Sequence, residues 1–275
     1  DEVCISLRIV TLENNTRLSP NESEAALGQI KRAMSRTRLA EPSPDDLANE
    51  LGDRVKYEYQ NRGYFLADVT ARLIPVLESS TRHTYDAVVT VLNEGQQYRL
   101  QELHFSNVKL FSDAQLRSAI PIHQGDIFSR EKIAAGLDNL RKLYGSRGYI
   151  NFTPLPDTTI DEEHGLILLT IDVEEGKQYT FGELSLPGLD ARHSRKLRSE
   201  WNNTLRGQPY WIAAVEKFFR QQFRMPSDPY PLWEDPEITR RRINDDSHTV
   251  DYEIRFVPNA LVESILPRPR TSDHQ

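Results

Sequence analysis

One cysteine in 275 residues leaves no internal disulfide. No stretch approaches the roughly 18 consecutive apolar residues of a membrane-spanning helix. Lys and Arg nowhere run longer than Arg240–Arg242, and the net charge is −7. That excludes the concentrated basic footprint of a nucleic-acid binder. The seven histidines, at 83, 104, 123, 164, 193, 248 and 274, form no HExxH and no pair at helical spacing, so no metal site is expected. Neither GxSxG nor a Walker loop occurs. Cys4 has no indicated base and falls out of phase with Ile5, Leu7 and Ile9, so it reads as a bystander on the open face of a strand. The acids of Asp161–Glu163 and Asp245–Asp246 fall at hairpin turns and read as solvated. The expectation is a protein without cofactor, metal or catalytic residues. With 27% charged and 38% hydrophobic residues it is a folded globular chain, not a disordered one.

What is present is repetition. "YQNRGYF" (Tyr59–Phe65) and "YGSRGYI" (Tyr144–Ile150) share Tyr-x-x-Arg-Gly-Tyr. "NEGQQYRLQEL" (Asn93–Leu103) resembles "EEGKQYTFGEL" (Glu174–Leu184), and "QGDIF" (Gln124–Phe128) resembles "RGQPY" (Arg206–Tyr210). Three echoes at a nearly constant period imply three units of one architecture. The boundaries fall near Gln97 and Gln178, giving residues 1–96, 97–177 and 178–262 with a flexible tail at 263–275.

The middle unit is the clearest. Leu103 and Phe105 alternate in a strand. Ser112 and Gln115 have capping-box spacing. Ser129 caps a longer helix, Arg130–Arg147, with Ile133, Leu137, Leu140 and Tyr144 on one face. Gly148 ends it, "YINFTPLP" is a short strand, and "LILLTIDV" (Leu166–Val173) is a buried one. Unit one follows the same order. Ile5, Leu7 and Ile9 share a strand face, and a helix covers about Glu22–Thr37. Ser43-Pro44-Asp45-Asp46 opens a second helix lined by Leu47, Leu51, Val55 and Tyr59. Gly63 ends that helix. "FLADVTARL" (Phe65–Leu73) and "DAVVTVL" (Asp86–Leu92) are strands. Unit three has helices near Ala191–Asn202 and Pro209–Phe223. A proline-rich loop, Arg224–Pro236, precedes the final strand Thr249–Val257. The fold class is α+β: three tandem βααββ units, each a three-stranded mixed sheet covered on one face by two helices.

The shared sextet marks the joint where the long helix stops and the chain reverses. Arg62 and Arg147 stand in the last turn against the helix dipole. Gly63 and Gly148 supply positive φ. Tyr64 and Tyr149 begin the strand and bury their rings. All six are expected to be structural.

Units of this order and length, joined by "EGQQY" and "EGKQY", resemble POTRA (polypeptide-transport-associated) domains. "LHFSNVKLFSDAQL", "GDIFSREKI", "LYGSRGYINFTPLP" and "LTIDVEEGKQYTFGEL" carry the likeness best. Ser106 stands where the family pattern usually has glycine. The resemblance implies a periplasmic array of the outer-membrane β-barrel assembly and secretion superfamily, tethered through a C-terminal barrel outside this chain. The implied partners are unfolded outer-membrane or secreted polypeptides and accessory lipoproteins. Neither nucleic acid nor direct membrane contact is implied. In each sheet the second strand is the expected edge, able to pair with an added strand. Partner-binding positions are therefore Phe65, Leu66, Asp68, Thr70 and Arg72 in unit one, and Asn151 and Thr153 in unit two. Pro154 and Pro156 blunt the second of these edges. The alternative is a small-molecule site or an enzyme using a groove between units.

Overall fold

Ser19-Pro20-Asn21-Glu22 sets the first helix. The Glu22 carboxylate accepts from the Ser19 N–H at 2.8 Å, and the Ser19 hydroxyl accepts from the Glu22 N–H at 3.3 Å. This reciprocal cap, with proline in the first turn, starts α1 at Pro20 rather than near Glu22. A computed structural model describes residues 3–34, 38–39, 43–78, 82–222 and 239–256. The expected proline-rich loop Arg224–Pro236 and the tail at 263–275 lie outside these residues.

The first repeat runs β1 (Val3–Glu13), α1 (Pro20–Met34), β2 (Arg38–Leu39), α2 (Pro44–Asn61), β3 (Asp68–Glu78) and β4 (Arg82–Asn93). The second runs β5 (Arg99–Ser106), α3 (Asp113–Ala119), α4 (Arg130–Gly145), β6 (Thr153–Asp161) and β7 (Leu166–Glu174). The third runs β8 (Thr180–Ser185), α5 (Ala191–Thr204), α6 (Ile212–Gln222), β9 (Thr239–Asn244) and β10 (Thr249–Ile254). The sheets are ordered β2-β1-β4-β3, β5-β7-β6 and β8-β10-β9. In each, the last strand is central and lies parallel to the first, because two helices carry the chain across between them. The two-residue β2 adds a fourth strand to the first sheet, antiparallel to β1 at Val3 and Cys4.

Leu7 is buried as expected, but Ile9 is 51% exposed. The register with β4 jumps between Leu7 and Val10, so Arg8 and Ile9 together oppose Asp86. A β-bulge reverses the side-chain phase, and Val10 and Leu12 take over packing against the core. Arg8 holds the bulge through two bonds to the Asp86 carboxylate, at 2.9 and 2.5 Å.

On α2, Leu47, Leu51, Val55 and Tyr59 are all buried, set by the Ser43 cap and Pro44. The helix lies close on β3, because a Cβ at Gly52 would sit 3.5 Å from the Val69 carbonyl oxygen. The third core gathers Phe181, Trp201, Phe218, Phe219 and Tyr252, and the Trp201 indole N–H donates to the Gly182 carbonyl at 2.9 Å. The chain forms two compact units. One is Asp1–Asn139 with Leu155–Asp172, and the other is Leu140–Pro154 with Val173–Gln275. The joint after the first repeat lies inside the former and the joint after the second inside the latter.

Candidate docking edges and repeat joints

A strand at the end of a sheet leaves half its N–H and C=O groups unused, and β3, β6 and β9 all stand at such ends. β3 is the longest of the three, at 11 residues. It pairs antiparallel with β4 from Asp68↔Asn93 to Glu78↔His83, and among the described residues no strand pairs on its other side. Asp68, Thr70 and Arg72 lie on it with exposed side chains. Beyond them Ile74, Val76 and Leu77 are 40%, 40% and 53% exposed. The ladder shifts register between Pro75 and Leu77, at an edge and a bulge, both places that accommodate a proline.

Phe65 and Leu66 lie ahead of the strand, not on it. A tight turn, closed by the Ala67 N–H on the Tyr64 carbonyl at 3.1 Å, holds residues 64–67. The buried Gln60 side chain donates to the Phe65 carbonyl at 3.1 Å. The Phe65 ring meets Phe128 edge-on at 5.3 Å. Asn151 stands in the matching turn of the second repeat, where the Phe152 N–H reaches the Tyr149 carbonyl at 3.3 Å. Its amide donates to the Tyr179 hydroxyl at 3.3 Å. Phe65 and Asn151 therefore belong to joints. Thr153 does begin β6, the strand carrying Pro154 and Pro156.

The three sequence echoes meet at these joints. At the first, the Gly63 carbonyl accepts from the Tyr98 N–H at 2.8 Å, and the Tyr98 carbonyl accepts from the Phe128 N–H at 2.9 Å. The Gln97 side chain donates to the Arg62 carbonyl at 2.9 Å. The second joint repeats every bond. Tyr179 N–H reaches the Gly148 carbonyl at 2.8 Å, Tyr210 N–H reaches the Tyr179 carbonyl at 2.8 Å, and Gln178 donates to the Arg147 carbonyl at 2.9 Å. Tyr59 donates to Glu94 and Tyr144 to Glu175, each at 3.0 Å. "YxxRGY", "EGxQY" and the third echo are thus one bracket, written twice, clasping each repeat to the next.

Gly63 and Gly148 have φ of +87° and +88°. A Cβ on Gly63 would lie 2.7 Å from an Ile127 methyl and 2.9 Å from the Tyr98 carbonyl oxygen. On Gly148 it would lie 2.4 Å from the Tyr179 carbonyl oxygen. Glycine is needed here for backbone conformation and for close approach together. Tyr64 and Tyr149 meet Tyr59 and Tyr144 edge-on. Arg62 is the C-cap of α2, one residue past its last turn, and its guanidinium donates back to the Glu58 carbonyl at 2.8 Å. Arg147 is exposed, and its side chain makes no such bond among the described residues. The Tyr59–Glu94 and Tyr144–Glu175 bonds and the two glutamine clasps escaped the sequence reading. The identical Gln in both "EGxQY" echoes was the available signal.

Charge at the joints is satisfied locally. Burial pushes Glu94 upward, but donors from Thr16, Tyr59 and Arg17 more than offset it and hold the carboxyl below its ordinary range. Burial and then the neighbouring carboxylate push the Tyr59 and Tyr144 hydroxyls up, so both are protonated donors at neutral pH. Among the described residues no three His, Cys, Asp or Glu gather as a metal site. An open trough of about 1080 Å³ beside α2 is lined by Asp46, Asn49, Asp53, Tyr57 and Arg130 among others, and among the described residues its lining holds no His, Cys or Ser.

Residues 98–176 match the family model POTRA, described as "Surface antigen variable number repeat". Outer membrane protein assembly factor BamA of Buchnera aphidicola subsp. Acyrthosiphon pisum is 26% identical over 157 residues, 57% of this chain and 25% of that protein. A crystal structure of Haemophilus influenzae BamA POTRA3-5 superposes with a TM-score of 0.57 at 20% identity, covering 94% of this chain and 97% of that one. The middle repeat matches the POTRA family, and the chain as a whole has the fold of a POTRA array. A putative outer membrane protein assembly factor of Treponema pallidum is 24% identical over 165 residues, 56% of this chain and 20% of that protein. The chain thus spans about a quarter of the Buchnera protein and a fifth of the Treponema one. Its likeness to the Haemophilus structure is one of fold. The expected three mixed sheets with paired helices are those of POTRA domains, and the two-residue β2 is an addition to the first.

Proposed function

We propose that this POTRA array is a periplasmic scaffold for outer-membrane protein assembly, held at the outer membrane through a C-terminal barrel. Its task is to dock extended segments of unfolded outer-membrane or secreted polypeptides, and of accessory lipoproteins, along sheet edges. The role is binding, not catalysis. The repeats 1–96, 97–177 and 178–262 are its working units. The observation that carries this reading is β3, an 11-residue edge strand whose outer ladder has no partner among the described residues. The names of the Buchnera and Treponema relatives support the same role. Affinity would come from main-chain bonds, with the exposed Ile74, Val76 and Leu77 adding apolar contact. Such binding tolerates many sequences, as a carrier of varied precursors needs. At β6, Pro154 and Pro156 remove donors, so Thr153 marks a weaker edge.

The experiment is a pair of proline substitutions, Thr70→Pro and Ala71→Pro. N–H groups alternate along a strand, so one of the pair removes an outward donor and leaves the inner ladder whole. Leu66→Pro, off the strand, is the control. The variant that keeps the native circular dichroism spectrum is expected to lose binding to an extended barrel-derived peptide, while the control retains it. Wild-type affinity in that folded variant would place docking elsewhere.

A further inference from the structure

The edges differ in chemistry, and β9 is the odd one. Its sequence is Thr-Arg-Arg-Arg-Ile-Asn, six residues with three consecutive cations. Arg241 turns toward the helices, where its guanidinium donates to the Tyr210 hydroxyl at 3.4 Å. Its neighbours stand on the opposite, open face. The register puts Arg242 across from Asp251 and Arg240 across from Glu253 on β10. Neither acid is spent on these arginines. The Asp251 carboxylate accepts from the Glu183 N–H at 2.7 Å on the far side, and Glu253 pairs with Arg255 at 3.6 Å. Among the described residues Arg240 and Arg242 make no ion pair, and both are exposed. Both are among the residues that line an open trough of about 690 Å³, together with Arg198, Glu183, Asp251 and Glu253.

Across the sheet, an acidic column on β10 is followed by a basic column on β9, and among the described residues no further strand follows. Opposite charges on directly facing strands are favourable and like charges are not. The next column that fits is acidic. We propose that β9 receives an extended acidic segment of a partner polypeptide, with Asp or Glu at alternate positions set against Arg240 and Arg242. A second copy of this chain does not fit, because antiparallel pairing of β9 with itself would bring arginines face to face. An apolar strand would strand both cations. This deepens the docking reading above and rests on it, by giving the third repeat a charge-selective edge where the first has a tolerant one.

The test uses the full chain and a fluorescent peptide, Thr-Glu-Val-Glu-Val-Glu-Thr. One control carries Lys in place of Glu, and another has the same composition with its three Glu bunched at one end. The alternating acidic peptide is expected to bind best and to shift the amide resonances of β9. Arg240→Gln and Arg242→Gln should each weaken it by about 1.5- to 5-fold, the range of a cross-strand charge pair. The double variant R240E/R242E, if folded by circular dichroism, should prefer the Lys peptide. Equal binding of the bunched peptide, or unchanged affinity in both glutamine variants, would overturn the proposal. The β3 proline variants separate the two readings. If they abolish acidic-peptide binding and the arginine variants do not, β9 is not the site although edge docking survives. If β3 variants never affect any client while the arginine variants do, the β9 assignment stands and the β3 one fails.

Discussion

Replacing Gly148 with alanine should damage this protein more than any other glycine-to-alanine change at a positive φ that meets only open space. The backbone term is the left-handed conformation at φ +88°, about 1–2 kcal/mol for a residue bearing a Cβ. The second term is contact. The new Cβ starts 2.4 Å from the Tyr179 carbonyl oxygen, and ordinary contact begins at 3.4 Å, so the carbonyl must retreat by about 1 Å. That carbonyl accepts from Tyr210, and the Tyr179 N–H donates to Gly148 itself, both at 2.8 Å. Weakening two such bonds costs about 0.5–1.5 kcal/mol each, for a total of about 2–5 kcal/mol. Gly207 isolates the first term, since it has φ +76° with nothing within 4 Å. Gly207→Ala should therefore cost only about 1–2 kcal/mol. Gly63→Ala should fall between, because two of its obstacles, Ile127 and Gln97, are side chains that can move. All three tryptophans, Trp201, Trp211 and Trp233, belong to the last repeat, so urea denaturation followed by fluorescence reads Gly148 and Gly207 directly. If Gly148→Ala costs no more than Gly207→Ala, the joint is not the close-packed bracket described above.

Tyr59→Phe and Tyr144→Phe each remove a donor to a carboxylate and should cost about 1.5–3 kcal/mol in denaturation. Trp201→Ala removes a fully buried ring and its indole bond, for a loss of about 3–5 kcal/mol read by circular dichroism. The Ser19 N–H and hydroxyl, then Arg62, hold the Glu22 carboxyl at about 2, against an ordinary 4.5. A depressed carboxyl contributes stability that is full above its ordinary value and is lost as pH falls toward 2. Melting temperature should thus fall across that window more in wild type than in Glu22→Gln, and parallel curves would remove Glu22 from the acid response.

Much of this architecture is local chemistry and reads directly from sequence. Ser43-Pro44-Asp45 and the Leu47–Tyr59 stripe give α2, and Ser112 with Gln115 gives the start of α3. Ile9 misled because a bulge changes phase without any residue type announcing it. Phe65 and Leu66 misled because alternation continues through them while the Tyr64–Ala67 turn holds them off the sheet. The joint was half legible. Each echo was visible, but Gly63, Tyr98 and Phe128 come together only through the crossover of two helices and the return of a strand, which no local pattern encodes. The acidic–basic columns on β10 and β9 depend likewise on register.

Client docking at β3 needs an open ladder, and hydrogen exchange reads that ladder residue by residue. With an unfolded outer-membrane barrel polypeptide added, alternate amides between Val69 and Leu73, those facing away from β4, should slow while their neighbours, already bonded, stay unchanged. Protection confined to the helical face, or no change along β3 at saturating client, would contradict it.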